Sequence, residues 1–402
     1  MKGNAVTAPS FPIRSLAAAF LAVLVGVGLS RFAYNPLMPA TILAGWFSPS
    51  HAMYFAVANL AGYLLGALTA PKLATLVAPH KLLRLSMLVA AAVFFCSTTP
   101  LSFTWFFTLR FVSGVVGAFA MVLSALTVLP LIRERYQGVA SGIIFAGVGL
   151  GIVVSGSLIP YLLTSGLAST WAYLGAIALV ACLFSWSWWP QAVSTTPPIA
   201  AEVRRHSLPE RSFSATFTVY SLVSCALVGH MIFLVDFLSR GLGHSIQVGS
   251  TLLIVFGIGA VGGPIVAGRM SDAVGIIATT RLMIVLCIPS IGVLAMDASL
   301  IGIALSCLVT GSAVTAIPSV VLGRIKELTR SPIRRRQAWA TATACYAIAQ
   351  TTTSFFLAET LRFSGERYDL LFLICTALMG IALAIQLLAD HPRRHRLPCE
   401  GP

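Results

Sequence analysis

The sequence predicts an all-α polytopic membrane protein, with twelve transmembrane helices in two pseudo-symmetric six-helix bundles. Three observations predict it. First, the 402 residues are 57% hydrophobic and only 9% charged. A soluble domain carries about 25% charged residues. Twelve acids cannot cover a surface of this size in water, so the bilayer must be the main solvent. Second, the apolar residues fall into twelve runs, each able to supply the ~20 residues of a tilted span. The weak alternating ten-residue segments of a β-barrel are not seen. Third, the pattern repeats after about 198–200 residues, six runs and six.

The spans are expected at 14–38, 51–77, 81–99, 101–130, 137–163, 168–189, 213–239, 246–270, 279–296, 299–323, 337–361 and 367–389. The first closes on Gly26-Val-Gly-Leu-Ser-Arg-Phe-Ala-Tyr-Asn-Pro-Leu-Met-Pro39. That run places Arg31 inside the apolar layer, which costs roughly 3 kcal/mol on insertion scales. The second carries Asn59 and Tyr63, which share one face at i and i+4, and the fourth carries Arg110. The fifth and eighth are rich in glycine, which lets helices approach closely. The stretch 190–212 is polar and proline-bearing and reads as a linker. It divides the chain into an N-terminal bundle over 1–189 and a C-terminal bundle over 213–402.

Charge orients the spans. Of the 26 Lys and Arg, 21 fall in one set of loops and tails, 3 in the opposite loops, and Arg31 and Arg110 in spans. Basic loops stay cytoplasmic, so both termini are expected in the cytoplasm. The same distribution explains the net charge of +14 without nucleic acid. The eight cysteines are scattered, and seven lie in apolar runs. No CxxC or Cys/His cluster has metal spacing, so no disulfide framework, metal or cofactor is expected. The N-terminus reads as an uncleaved one.

Ionisable groups inside spans are the default functional residues. At 1.5 Å per residue, Arg31 sits ~10 Å below the outer end of its span. Arg110, His230 and Asn59 lie ~12–13 Å from the ends of theirs. Gln350 falls in or near the same slab, close to the midplane, and this convergence favours a shared cavity. Each group also has a plainer reading. Arg31 could bond loosened carbonyls near Pro36, Arg110 could snorkel, and His230 could be a packed histidine. Asp236 could pair with Arg240, four residues on. A buried Asp or His can couple conformation to protons, whereas Arg cannot lose its proton and suits an anion instead. The expected site residues are Arg31, Tyr34, Asn35, Asn59, Tyr63, Arg110, His230, Asp236, Tyr346 and Gln350.

Gly268-Arg-Met-Ser-Asp272-Ala-Val-Gly275, followed by Arg281, reads as a tight loop between the eighth and ninth spans. Its glycines permit the turn. Asp272 can meet a helix N-terminus or pair with Arg133 or Arg135. Such a contact would hold the cytoplasmic side shut.

Together these residues resemble the major facilitator superfamily over essentially the whole chain. The stretch from Gly268 to Arg281 is similar to its loop motif. Arg110-Phe-Val-Ser-Gly114-Val-Val-Gly-Ala118 resembles its helix 4 motif, whose arginine is associated with proton coupling. The stretches Gly28–Pro39, Asn59–Gly66 and His230–Gly243 resemble the YbfB/YjiJ-type branch, bacterial inner-membrane transporters largely without assigned substrates. The resemblance implies alternating access in a twelve-helix fold. Two positions depart from it. Ala74 stands where the first-half loop motif has its acid, and Ile152 follows Gly151 where an antiporter-type motif has Pro.

The function expected is secondary transport of a small organic solute, proton-coupled, by a chain that works as a monomer. An uncoupled facilitator is the nearest variant, and a membrane sensor or scaffold with the same fold is the other class. Three basic groups against one acid near the slab lean toward an anionic or zwitterionic substrate. There is no HExxH, GxSxG or GxxxxGK[ST], so no enzyme chemistry or ATP hydrolysis is expected.

Overall fold

The computed structural model describes residues 12–190, 211–296, 299–329 and 331–389, without the side chains of 134, 135, 211, 212, 332, 333 and 336. Nearly all of the linker expected at 190–212 lies outside them. Every regular element among the described residues is helical. The helices are α1 (Ile13–Leu43), α2 (Pro49–Leu76), α3 (Pro79–Cys96), α4 (Phe103–Leu131), α5 (Tyr136–Ser165), α6 (Leu167–Ser185), α7 (Phe213–Gly241), α8 (Ile246–Val274), α9 (Ile276–Ala295), α10 (Leu300–Leu328), α11 (Pro332–Phe363) and α12 (Tyr368–Ala389). Eleven are apolar throughout a span's length. The more polar one is α11, whose Gln337, Gln350 and Ser354 are nevertheless buried.

Serine starts several of these helices. The hydroxyls of Ser48, Ser102, Ser245 and Ser299 accept backbone N–H groups at the first turns of α2, α4, α8 and α10, satisfying donors the helix itself leaves orphaned. Ser48 and Ser245 are separated by the same interval as Ser102 and Ser299. The helix crossings repeat at that interval too. A Cβ on Gly62 would meet the Phe111 carbonyl oxygen at 1.9 Å, and one on Gly259 would meet that of Leu308 at 2.3 Å. A Cβ on Gly114 would meet the Asn59 oxygen at 1.9 Å, and one on Gly311 that of Phe256 at 2.0 Å. The α2–α4 and α8–α10 pairs are thus one crossing built twice, 197 residues apart. On this register Arg31 falls opposite Val228. The longer repeat read from the sequence put it opposite His230.

Within the first six helices α2 packs on α4, and α3 on α4 and α6; within the last six α8 packs on α10, and α7 on α11 and α12. Contacts between the two sets run through α5 and α8, α2 and α11, and α1 and α7. They are not spread evenly along the helices. Glycines seat α5 on α8 at Gly156 against Ser250, at Gly257 against Val153 and at Gly149 against Val261. Further toward the end with the basic loops, Gly138, Gly142, Gly262 and Gly268 would meet nothing within 4 Å of an added Cβ. At the opposite end Tyr54 of α2 hydrogen-bonds Glu359 of α11, and Arg362 donates to the Tyr54 hydroxyl at 3.2 Å. The two sets therefore touch from the middle to the far end and part toward the basic end.

One expected loop is mostly helix. The stretch Gly268–Gly275 continues α8 as far as Val274, and the turn is confined to Gly275 at φ +87°. Helical hydrogen bonding runs on past the apolar layer, where hydropathy no longer reports it. Gly268 consequently lies within α8 and makes no turn.

Candidate functional site

The site begins with a local defect in α1. Residues Leu24–Leu29 form π-helical turns, a form that is rare and concentrated at functional sites. Gly28 lets this segment lie against α5, because a Cβ there would meet the Gly151 Cα at 2.7 Å. Just beyond, Ser30 donates to the Val25 carbonyl at 2.9 Å, which closes the widened turn. Arg31 follows immediately and points at α2.

The Arg31 Nε donates to Asn59 Oδ1 at 3.4 Å, and the guanidinium lies 4.4 Å from the centre of the Tyr63 ring. Asn59 in turn donates through Nδ2 to Ser113 Oγ at 2.7 Å and to the Arg110 carbonyl at 3.4 Å. Ser113 donates to that same carbonyl at 2.9 Å. One buried amide thus ties Arg31 of α1 to the turn of α4 that carries Arg110. The Arg110 guanidinium sits 4.5 Å from the Tyr34 ring centre, and the Tyr34 hydroxyl donates to the Ala52 carbonyl at 3.0 Å. Arg110 is only 1% exposed. Its Nε and the Nη2 of Arg31 are buried without a hydrogen-bond partner.

These groups line one cleft with Asn35, Ala56, Leu60, Met231 and Ile232. Its cavity volume is about 10 Å³, room for one water. Asn35 closes it against the second half by donating to the Met231 carbonyl at 3.0 Å. Gln350 of α11 donates to the Met231 sulfur at 3.3 Å and approaches the Tyr346 hydroxyl at 3.5 Å. Tyr346 packs on Tyr220 with ring centres 4.6 Å apart. No Asp or Glu lines the cleft among the described residues.

Of the ten residues expected at the site, Arg31, Tyr34, Asn35, Asn59 and Arg110 meet in the cleft. Tyr63 stacks at its edge, Gln350 meets the Met231 sulfur, and Tyr346 lies one turn from Gln350 on α11. His230 and Asp236 lie elsewhere. The His230 Nε2 meets Ser306 Oγ of α10 at 2.8 Å, and the Ser306 hydroxyl donates to the Ser290 carbonyl. Ser306 therefore accepts from His230, so Nε2 carries the proton and the buried Nδ1 is left a bare acceptor. Asp236 is wholly buried six residues further along α7. It accepts from Arg240 at 2.7 and 2.8 Å and from the Tyr368 hydroxyl at 2.5 Å. Arg240 also pairs with Glu366 at 2.6 Å. The plainer reading of Asp236, pairing with Arg240, is the arrangement found.

At the basic end Asp272 is exposed and makes no ion pair among the described residues. Arg133 is exposed as well, and the Arg135 side chain lies outside the description. Arg281 is partly buried in α9. Sequence reasoning passed over Met231, Ser113 and Tyr54. The first two adjoin His230 and Arg110 in stretches already singled out, so proximity was a usable signal. Tyr54 is an isolated tyrosine and gave none.

The sequence from 23 to 387 matches the family described as uncharacterised MFS-type transporter YbfB. No curated protein matches the chain. Solved structures share its fold. A bacterial homologue of the human lysosomal transporter Spinster, inward-facing and occupied, superposes with a TM-score of 0.70 at 15% identity, covering 95% of this chain and 97% of that one. The unoccupied inward-facing form gives 0.70 at 15%, covering 95% and 98%. A D-xylose–proton symporter gives 0.70 at 16%, covering 94% and 97%. The twelve helices and their internal repeat are thus the MFS fold, and the chain belongs to the YbfB family of MFS-type transporters.

Proposed function

We propose that this chain carries a small organic anion across the bacterial inner membrane by alternating access, with the cleft at Arg31 and Arg110 as its binding site. One observation carries the reading. Two guanidiniums share a buried cleft, each with an unused N–H, and no carboxylate there neutralises them. Burying an unpaired charge is costly, and a guanidinium presents its donors in a fork that fits a carboxylate or phosphate. Tyr34 and Tyr63 hold the two planes, while Met231, Ile232 and Leu60 offer an apolar wall for the body of the solute.

With basic loops in the cytoplasm, the conformation is inward-facing. Tyr54, Glu359 and Arg362 seal the outer end, and Asp272, with no ion pair among the described residues, belongs to an open inner one. The stretches 1–189 and 213–402 would be the moving halves, and one chain suffices for the cycle. Proton coupling would draw on Asp236 or His230, and each would act through movement of α7, since neither lines the cleft.

The test is a thermal-stability screen of the purified protein against a panel of mono- and dicarboxylates and phosphate esters, run beside Arg31→Ala. A ligand at 100 times its Kd should stabilise the fold by about 2.7 kcal/mol. Stabilisation lost in Arg31→Ala supports the reading. Stabilisation that persists in it removes Arg31 from the site.

A further inference from the structure

We infer that the solute is an aromatic carboxylate, its carboxylate taken by Arg31 and its ring by tyrosines of α2, α7 and α11. The inference rests on the anion site proposed above and names the body that the anion carries. Among the described residues Arg31 uses only its Nε in a hydrogen bond, to Asn59. The edge between its Nη1 and Nη2 is left for the fork-shaped contact that guanidiniums make with carboxylates. The cleft has room for about one water, so the body of a solute held there extends out of it. The outer end is sealed by Tyr54, Glu359 and Arg362, and the two halves part toward the basic end. The body therefore lies on the basic side of Arg31.

What lines that side is aromatic. Tyr63 is one turn past Asn59 on α2, Tyr346 is one turn before Gln350 on α11, and Tyr220 is eleven residues before Met231 on α7. Each step leads from the cleft toward the basic end. The Tyr63 ring carries the Arg31 guanidinium at 4.4 Å. Tyr220 and Tyr346 pack with ring centres 4.6 Å apart, and Trp339 stacks beyond Tyr220 at 6.5 Å. Tyr346 lies within electrostatic reach of both Arg31 and Tyr63, and Tyr220 within reach of Tyr63, so one cluster joins the two halves. Tyr63 and Tyr346 are only partly buried. The Tyr63 and Tyr220 hydroxyls form no hydrogen bond among the described residues, yet neither is sealed from solvent. A tyrosine buried for packing has its hydroxyl bonded, as Tyr34 does to Ala52. These tyrosines instead face a space that a ligand can enter.

Such a lining discriminates among organic anions. Tyrosine rings add what aliphatic side chains lack, offset and edge-on contacts to another ring beyond the area buried. A carboxylate gripped by the Arg31 fork lies in the plane of that fork. A ring joined to it directly or by a short chain is carried toward Tyr63 of one half and Tyr346 of the other.

The experiment measures thermal stabilisation of the purified protein by matched pairs of acids: benzoate and cyclohexanecarboxylate, phenylacetate and cyclohexylacetate, phenylpropanoate and cyclohexylpropanoate. Members of a pair share charge and nearly share size. The saturated one is the more apolar, so burial alone would favour it. In at least one pair the aromatic acid should reach half-maximal stabilisation at a concentration lower by about fivefold or more. Tyr346→Leu should abolish that preference and Tyr346→Phe should keep it. A Tyr346 needed only for packing would lower the melting temperature in Tyr346→Leu and leave the ratio unchanged, which would overturn the inference. Equal concentrations within every pair, or a preference for the saturated acids, would overturn it too, while stabilisation lost in Arg31→Ala would still uphold the anion site. No effect from any of these acids would also overturn it, and the anion site would then be judged by the dicarboxylates and phosphate esters of the stability screen.

Discussion

Gly62 and Gly259 admit a neighbouring backbone in the same way, and so do Gly114 and Gly311. Yet the positions between them differ in kind. At the interval these glycines set, Phe256 stands opposite Asn59, Cys307 opposite Arg110 and Val228 opposite Arg31. In α2–α4 the crossing holds an amide, a hydroxyl and the Arg110 guanidinium, and Arg31 of α1 joins them at the cleft. In α8–α10 Phe256 reaches across to Phe32, with ring centres 6.4 Å apart, and Cys307 is wholly buried. The second half pairs its buried charges Asp236 and Arg240 with each other at the end of α7, and the group it brings to α10 is the imidazole of His230, on Ser306. Small residues at the contact fix how closely two helices approach, and leave the facing side chains free to diverge. One half can therefore hold the anion-seeking groups while its twin supplies an apolar wall.

The contrast is broken most directly by removing one charge from each half. Asp236→Ala leaves Arg240 largely buried with only Glu366 for a carboxylate, and should cost about 3 kcal/mol in unfolding. Arg31→Ala removes a charge that no carboxylate balances. It loses one cation–π contact and one long hydrogen bond to Asn59 but sheds the cost of a buried unpaired charge, so its net cost should stay below about 1 kcal/mol, while anion binding disappears. Unfolding and ligand-induced stabilisation, measured on both variants, check this. Equal destabilisation would make Arg31 a structural residue like Asp236 and erase the division between the halves.

A second pair of changes sharpens it. Gly62→Ala and Gly259→Ala each force a Cβ into a carbonyl oxygen, and each should destabilise by about 1–3 kcal/mol. Their effects on binding should differ. Gly62 lies one turn from Asn59, so displacing α2 there loosens the cleft. Gly259 lies in a crossing that carries no ligand group. Similar unfolding costs with anion binding weakened in Gly62→Ala alone would show that the repeat is shared in packing and unshared in chemistry.

The helices themselves were legible because lipid demands long apolar runs. Their ends were less so. The expected span 299–323 continues as α10 to Leu328, and 337–361 starts as α11 at Pro332, since polar turns beyond the apolar layer are still helical. Arg31, Asn59 and Arg110 were readable as costly groups at a common depth. Depth alone, however, cannot say which way a side chain faces. His230 has the right depth and points into α10. The π-turns of α1 left no sign beyond Gly26 and Gly28, because a widened turn depends on what packs against it. The seal at Tyr54 depends on α11, far away in sequence, and hydropathy is silent about such pairs.

That seal carries the smallest expected effect. The Tyr54 hydroxyl is shared between Glu359 and Arg362, and the Tyr54 ring lies 6.4 Å from that of Phe355. Tyr54→Phe keeps the ring contact and removes the hydroxyl. Glu359 and Arg362 still meet at 3.4 Å, so neither charge is orphaned, and the loss should be about 1 kcal/mol. The contact exists only while the outer end is closed, and weakening it should favour the outward-facing form by about fivefold. A cysteine at Ala56 (Ala56→Cys), which lines the cleft, should react with a membrane-impermeant thiol reagent added from outside up to about fivefold faster in Tyr54→Phe. An unchanged rate would mean that the hydroxyl contributes nothing to the seal, and that ring packing between Tyr54 and Phe355 holds α2 to α11. The comparison of the halves would then end at the cleft, with the outer gate as an apolar contact to which each half contributes one ring.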